Sequence, residues 1–367
     1  MRILYIANMR LPTEKAHGVQ IMKMCEAFAH LGHEVTLVVP RCFNHIKDDP
    51  FRYYNVESIF SIKRLWTVDV SRFGKLGFRL QLLAFSKMVF WYTLFTKTDI
   101  VYSRNELPLF YAGLVKNKRN RIYEEHTGSF NLFTRFILKR AKKVVVISRG
   151  LKDLYVAKGV PEQKIVVAHD AVDLSEFEKR YDKQKVRAEL GIPADKKIVM
   201  YIGRLDMWKG VETLLEASLL LPDSVKVVII GGESKQVETL SRKYPNVLFL
   251  GYRPYKELAK NQQAADVLVL PNTGKDIIST AYTSPLKLFA YMASSIPIVA
   301  SDLPSIKEVI GEKGAVLVAP DDPTALMKGI EGTLSDSVHA RHLALHAGKL
   351  VQNYSWDIRA RTIIDSL

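Results

Sequence analysis

The residues best suited to chemistry in this sequence lie in two stretches of its second half. In residues 201–210, YIGRLDMWKG, a strand-like apolar run meets Gly203 and is followed by Arg204 and, five positions on, by Lys209. In residues 284–293, SPLKLFAYMA, Ser284 and Pro285 stand where a helix would begin, with Leu286 and Lys287 in its first turn. Serine is a good helix cap, and proline suits the first helical position. The N–H groups of a first helical turn have no intrahelical partner and carry the positive end of the helix dipole, so such a turn attracts an anion. Lys287 opposes that dipole, a placement that is poor for the helix alone and good opposite a bound anion. With Arg204 and Lys209 the set reads as one pocket for a polyanion. Taken alone, Arg204 and Lys209 read as two exposed cations on a loop, which are common.

The elements that must position these residues alternate along the whole chain. Apolar runs predict strands at 2–8, 35–39, 100–102, 121–124, 143–147 and 165–167, and again at 198–202, 225–230, 247–250, 267–270, 298–300 and 315–318. Helical patterns lie between them, the first over 20–31 and stopped by Gly32. This alternation predicts α/β architecture with parallel sheets and right-handed crossovers. Two Rossmann-like domains facing a cleft are expected, with ligands outside the carboxyl ends of the strands. Two further residues fall beside strand ends. Gly18 lies in the loop after the first strand, where it would allow close backbone approach to an anion or substrate. His126 follows the strand 121–124, where it would either point into the cleft or serve as a polar loop residue. The first loop is not GxGxxG, so a dinucleotide fingerprint is absent.

Arg204 with Lys209, the strand ADVLVLP at 265–271, SPLKLF and YMA on either side of Ala290, and PIVASD at 297–302 together resemble the C-terminal half of a retaining nucleotide-sugar glycosyltransferase of family 4 with the GT-B fold. The resemblance extends over nearly the whole chain. It implies an acceptor-side domain over 1–178, a donor-binding domain over 197–353, and a terminal helix within 354–367 that crosses back onto the first domain; the charge-rich stretch 179–196, without an apolar period until Leu190, is the linker candidate between them. Residues 169–173, HDAVD, resemble the segment leading out of that first domain. The resemblance assigns Arg204, Lys209 and Lys287 to the diphosphate of a UDP- or GDP-linked sugar, where they would stabilise the charge that develops as the nucleotide leaves. Ser284, Pro285 and Leu286 would contact the same donor, His126 in YEEHTG would face the sugar, and no metal would be used. In one place the sequence departs from the pattern. The family carries two glutamates eight positions apart, the second holding the ribose hydroxyls, and these positions are Tyr282 and Ala290 here. Hydrogen bonds to a charged group are worth about 1.5–3 kcal/mol each, so Ala290 bears on donor affinity and on catalytic competence.

Composition bounds the partners. Lys and Arg number 53 against 38 Asp and Glu, a net charge of +15, which calls for a polyanion: a phosphorylated ligand, an anionic lipid surface or nucleic acid. Nucleic acid is not expected, because recognition-helix, RNP and zinc-finger signatures are missing. Two cysteines, Cys25 and Cys42, fit a reduced cytoplasmic chain without a disulfide framework. HExxH, paired-cysteine and Asp-x-Asp patterns do not occur, so no metal site is expected. Residues 80–95 are largely apolar with Lys87 as the only charge, too short to span a bilayer. They form either a helix buried beneath the sheet or a surface that rests on lipid, beside the basic residues 134–143. The reading is a cytoplasmic glycosyltransferase, either free or peripheral on the membrane, with a saccharide or lipid-linked acceptor. The rival is a catalytically weakened nucleotide-sugar-binding relative of the same fold, which Ala290 admits.

Overall fold

Every run predicted as a strand is one, and together they build two separate parallel sheets; the computed structural model describes residues 1–115 and 121–367. The first unit comprises Met1–His169 and Trp356–Leu367, the second Asp170–Ser355. In the first, β1 (Arg2–Ile6), β2 (Glu34–Pro40), β3 (Ser61–Leu65), β4 (Ile100–Ser103), β5 (Arg121–Glu125), β6 (Lys143–Val146) and β7 (Ile165–Val167) lie in the order β3-β2-β1-β4-β5-β6-β7. The order reverses between β1 and β4, which pair in parallel. The strand missed in the sequence is β3, SIKRL, which sits at the sheet edge with most of its side chains in solvent. An edge strand has no second partner to bury its faces, so it need not be apolar.

In the second unit, β8 (Lys197–Ile202), β9 (Val225–Ile230), β10 (Leu248–Gly251), β11 (Val267–Leu270), β12 (Ile298–Ser301) and β13 (Val316–Val318) lie in the order β10-β9-β8-β11-β12-β13. Its strands bury both faces. Ile198, Met200 and Ile202 enter one core with Leu268 and Leu270, while Val199 and Tyr201 enter the other with Val267 and Val269. The two-residue repeat of a strand makes that division, and burial on both faces explains why these strands read as continuous apolar runs. The strand order reverses between β8 and β11, which pair in parallel, so the carboxyl ends of these two strands form the switch point.

The expected linker over 179–196 is not a linker. It contains the helix Lys183–Leu190 and lies inside the second unit. Arg187, 4% exposed, holds it there by donating from Nε to the Ala264 carbonyl (2.9 Å) and from Nη2 to Asp266 Oδ2 (2.7 Å). The same Asp266 oxygen accepts from the amide of Ile198 at the start of β8. The chain instead changes unit at His169–Asp170, nine residues before the expected end of the first domain at 178, and returns at Ser355–Trp356. The two passes are tied inside the second unit by a hydrogen bond from the Val172 amide to the Tyr354 carbonyl (3.0 Å). The terminal helix Trp356–Asp365 belongs to the first unit, where it packs against the helix Ala16–His30.

Residues 80–95 lie in the helix Gly74–Phe95. Of its buried positions, Gly77, Gln81, Phe85, Val89 and Thr93 recur every four residues, with Ser86 beside them. That stripe packs against the helix Glu106–Val115, while Leu76, Phe78, Leu80, Leu83, Trp91 and Phe95 remain exposed. The helix is thus neither wholly buried nor wholly free, and among the described residues no helix is long and apolar enough to cross a membrane.

Gly18 also differs from expectation. It is buried inside the helix Ala16–His30 and not in a loop, its amide donating to the Lys15 carbonyl (2.9 Å). A Cβ there would stand 2.3 Å from the Tyr54 hydroxyl and 2.8 Å from Thr13 Cγ2. That hydroxyl is fixed, accepting from the Thr13 amide (2.6 Å) and donating to the Thr13 carbonyl (2.8 Å). Glycine is required here for packing against Tyr54. Gly18→Ala is expected to lower stability by about 1–3 kcal/mol, the usual cost of overpacking, measured by urea unfolding. An unchanged midpoint would show that Tyr54 yields freely.

Candidate functional site

The cations singled out in the sequence converge at the carboxyl end of β8. Gly203, with φ of +151°, turns the chain immediately after the strand. A Cβ on it would come within 2.6 Å of Lys287 Nζ, so the glycine lets a lysine lie against the backbone. Lys287 reaches this point from the helix Leu286–Ser294. Its ammonium donates to the Tyr201 hydroxyl (2.7 Å) and sits 3.9 Å from the centre of that ring. The Tyr201 hydroxyl in turn donates to the Arg204 carbonyl (2.7 Å), which sets the course of the turn. The helix itself is pinned by Tyr291, whose hydroxyl accepts from the Ile202 amide (2.8 Å).

Arg204 is largely exposed and pairs with Asp206 at 3.0 Å. Lys209 ends the short turn Met207–Lys209, its Nζ 3.4 Å from the centre of the Trp208 ring. Gly210 follows with φ of +65°, and its Cα lies so close to β11 that a Cβ would stand 1.8 Å from the Pro271 carbonyl oxygen. The turn bearing Lys209 is thereby held at the switch point between β8 and β11. Burial, then the positive charge of Arg204, brings Lys209 down to about 8 against the pull of Asp206. Burial, then Lys209, depresses Lys287 well below its ordinary value, again opposed by Asp206. Among the described residues, three basic side chains thus share one carboxylate. Asp206 was not singled out in the sequence, nor were Tyr201 and Tyr291 as the groups that orient the cations.

Two expectations about the helix start are corrected. Ser284 is not its cap, because Pro285 occupies the cap position in extended conformation, and the helix begins at Leu286. Ser284, 4% exposed, instead accepts at Oγ from the Asp170 amide (2.8 Å), fastening the segment where the chain enters this unit. Pro285 is correspondingly one place earlier than the first helical position. Ala290 lies one turn after Lys287, half-buried against the core, and Tyr282 ends the turn Ile278–Tyr282.

His126 belongs to the first unit, at the end of β5, and its surroundings are more elaborate than a polar loop. Glu124 is wholly buried. Its Oε1 accepts from Gln20 Nε2 (2.6 Å), Arg359 Nη2 (3.0 Å) and His126 Nε2 (2.5 Å), and its Oε2 from the Tyr102 hydroxyl. Burial alone would raise Glu124, but Arg359, then His126 and Arg104, hold it well below the usual carboxylate range. Burial, then Arg104, takes His126 down to about 4 despite Glu124, so the ring is neutral at neutral pH. Glu125 shapes the turn beyond the strand by accepting at Oε1 from the amides of His126, Thr127 and Gly128. Two adjacent glutamates ending an apolar strand were the available signal for this network. Arg359, 235 residues away from Glu124 in sequence, offered none.

The sequence matches the family model described as Glycosyltransferase Family 4 over residues 17–176 and that described as Glycosyl transferases group 1 over residues 196–336. An uncharacterized glycosyltransferase of Methanocaldococcus jannaschii is 28% identical over 236 residues, which cover 61% of this chain and 59% of that one. Sucrose-phosphate synthase from Thermosynechococcus elongatus superposes with a TM-score of 0.80 at 21% identity, covering 99% of this chain and 97% of that one. HepE of Anabaena, solved in complex with UDP-glucose, gives 0.78 at 16% identity and covers 100% of both chains. These two structures share the fold.

The lysines make a pH test. Lys209, brought down to about 8, loses its charge as pH rises through that value. Binding of inorganic pyrophosphate or UDP should therefore weaken between about pH 7.5 and 9 with proton uptake on binding, since the anion favours the charged lysine. Lys209→Arg, always charged, should flatten that dependence. Calorimetry in buffers of different ionisation enthalpy reads both, and affinity constant from pH 6 to 9 in the unaltered protein would refute it.

Proposed function

The chain belongs to glycosyltransferase family 4, and we propose that it moves a sugar from a nucleoside-diphosphate donor to a saccharide or lipid-linked acceptor with retention at the anomeric carbon. The observation that carries this reading is the crowding of Arg204, Lys209 and Lys287 at the end of β8 with a single carboxylate, Asp206, among them. Holding cations together costs free energy that a diphosphate repays. As the bond from the anomeric carbon to the β-phosphate breaks, negative charge grows on the leaving oxygen, and fixed cations stabilise that state more than the ground state. They supply positive charge that a divalent ion supplies in metal-dependent transfer. The amides at the start of the helix Leu286–Ser294 add donors to the same anion. A UDP-linked sugar is favoured over a GDP-linked one by the fold shared with HepE, which was solved with UDP-glucose. His126 is assigned to a hydroxyl of the sugar. With alanine at 290 the ribose is held without a carboxylate from this helix position.

Arg204→Ala or Lys209→Ala should weaken UDP binding by roughly ten- to a hundredfold, the worth of one charge-assisted hydrogen bond, and leave uridine binding unchanged. The same variants should lose transfer from a UDP- or GDP-sugar panel, followed by release of the nucleoside diphosphate. Equal losses for nucleotide and nucleoside would remove the diphosphate assignment, and no transfer by the unaltered protein from any donor would remove the enzyme.

The acceptor side of the proposal draws on the exposed apolar face of the first unit. Trp91 and Phe95 on one helix, and Leu132 and Phe133 on the helix Leu132–Arg140, stand in solvent. Arg140 lies 3.7 Å from the Phe136 ring on that second helix, so cations accompany the aromatic groups. Such a face suits the cytoplasmic surface of an anionic membrane, where a lipid-linked acceptor would be met. Flotation with vesicles containing phosphatidylglycerol should carry the protein upward at low salt and less at high salt, given a Debye length of about 8 Å near physiological ionic strength. Equal flotation with neutral vesicles, or none at low salt, would refute the electrostatic docking.

A further inference from the structure

A neutral imidazole has one N–H and one lone pair, and their placement decides what the ring can offer a substrate. His126 Nε2 lies 2.5 Å from Glu124 Oε1. An ionised carboxylate can only accept, so the proton sits on Nε2, and Nδ1 carries the lone pair. Among the described residues Nδ1 of this ring has no hydrogen-bond partner. The tautomer therefore depends on Glu124 staying ionised while wholly buried. Two of its partners, Gln20 and Tyr102, are neutral donors. Arg104 adds positive charge from behind Gln20, donating from Nη1 to Gln20 Oε1 (2.6 Å). Arg359 is the cation in direct contact, 2% exposed, and it is itself steered by donating from Nε to the His169 carbonyl (2.8 Å). Glu125 faces other donors, accepting at Oε2 from the Tyr123 hydroxyl (2.5 Å) and at Oε1 from the turn amides.

We propose that Glu124 and Arg359 are positioning residues for His126: through them the terminal helix Trp356–Asp365 fixes the ring as its Nε2–H tautomer and leaves Nδ1 as an acceptor for a substrate hydroxyl. Without the guanidinium, burial drives a proton onto Glu124. The oxygen that loses the guanidinium is Oε1, the one facing the ring; protonated there, Glu124 donates to Nε2, and the ring proton moves to Nδ1. The face offered to substrate then changes from acceptor to donor. The sugar as owner of that hydroxyl rests on the glycosyltransferase reading, whereas the tautomer does not.

Nitrogen-15 spectra of the full chain labelled at histidine, with His126 assigned by comparison with His126→Gln, read the tautomer directly in the absence of substrate. The unaltered protein should show Nε2–H at neutral pH. Arg359→Gln should shift the majority of the ring population to Nδ1–H and lose sugar transfer while keeping UDP binding, and Arg359→Lys should restore Nε2–H. Nδ1–H in the unaltered protein, or a folded Arg359→Gln that keeps Nε2–H, overturns the proposal. If Arg359→Gln does not fold, Arg359→Lys decides, because a mixture of both tautomers there overturns it. The expected tautomers without transfer from any donor would sink the enzymatic reading alone.

Discussion

A charge taken out of water must be answered inside the protein, and the two units meet that demand in opposite ways. In the first, the carboxylate of Glu124 is surrounded by donors until nothing about it is unsatisfied, and Arg359 balances its charge at 3.0 Å. In the second, burial lowers the basicity of Lys209 and Lys287, helped by Arg204 at the first and by Lys209 at the second, with Asp206 as their shared counter-charge. Breaking a buried pair leaves an uncompensated charge and is costly, so the first arrangement is rigid whether or not ligand is present. The second gains most of its neutralisation when an anion arrives. One network sets a ring, and the other responds to a ligand.

Both arrangements depend on parallel sheets that deliver residues to strand ends. Gly203 and Gly210 do this where backbone must pass within contact distance of Lys287 and of the Pro271 carbonyl. Tyr201 and Tyr291 complete it from below, one holding the lysine and the turn, the other tying the helix Leu286–Ser294 to the last amide of β8. The cations are therefore placed by buried phenols, whose rings pack in the core while their hydroxyls reach its edge.

Much of this was legible in the sequence because buried parallel strands are written as uninterrupted apolar runs. Arg204 and Lys209 were legible from the glycine turn that follows such a run and Lys287 from the proline just before its helix, and the family resemblance assigned all three to a diphosphate. What was hidden depended on long-range contacts. Gly18 reads as a loop glycine until Tyr54 is seen against it, and Ser284 reads as a cap until the Asp170 amide claims its hydroxyl. The linker at 179–196 read as solvated because its charge gives no hint that Arg187 is buried on Asp266. Edge strand β3, rich in Ser, Lys and Arg, carries no apolar signature at all.

The pairing of Val172 with Tyr354 and Ser355 has a meaning for the history of the chain. The second unit enters and leaves through strands of backbone lying side by side, so it is an insertion with its ends already fastened together. Such a body can be exchanged as a cassette: two peptide junctions, close in space, suffice to replace everything from Asp170 to Ser355 without disturbing the order of β1 to β7. The residue that would feel an imperfect graft is Arg359, three positions beyond the return junction, because its reach to Glu124 depends on where the terminal helix starts. Recombination between relatives at these two seams would therefore be filtered by the spacing from the return junction to that arginine.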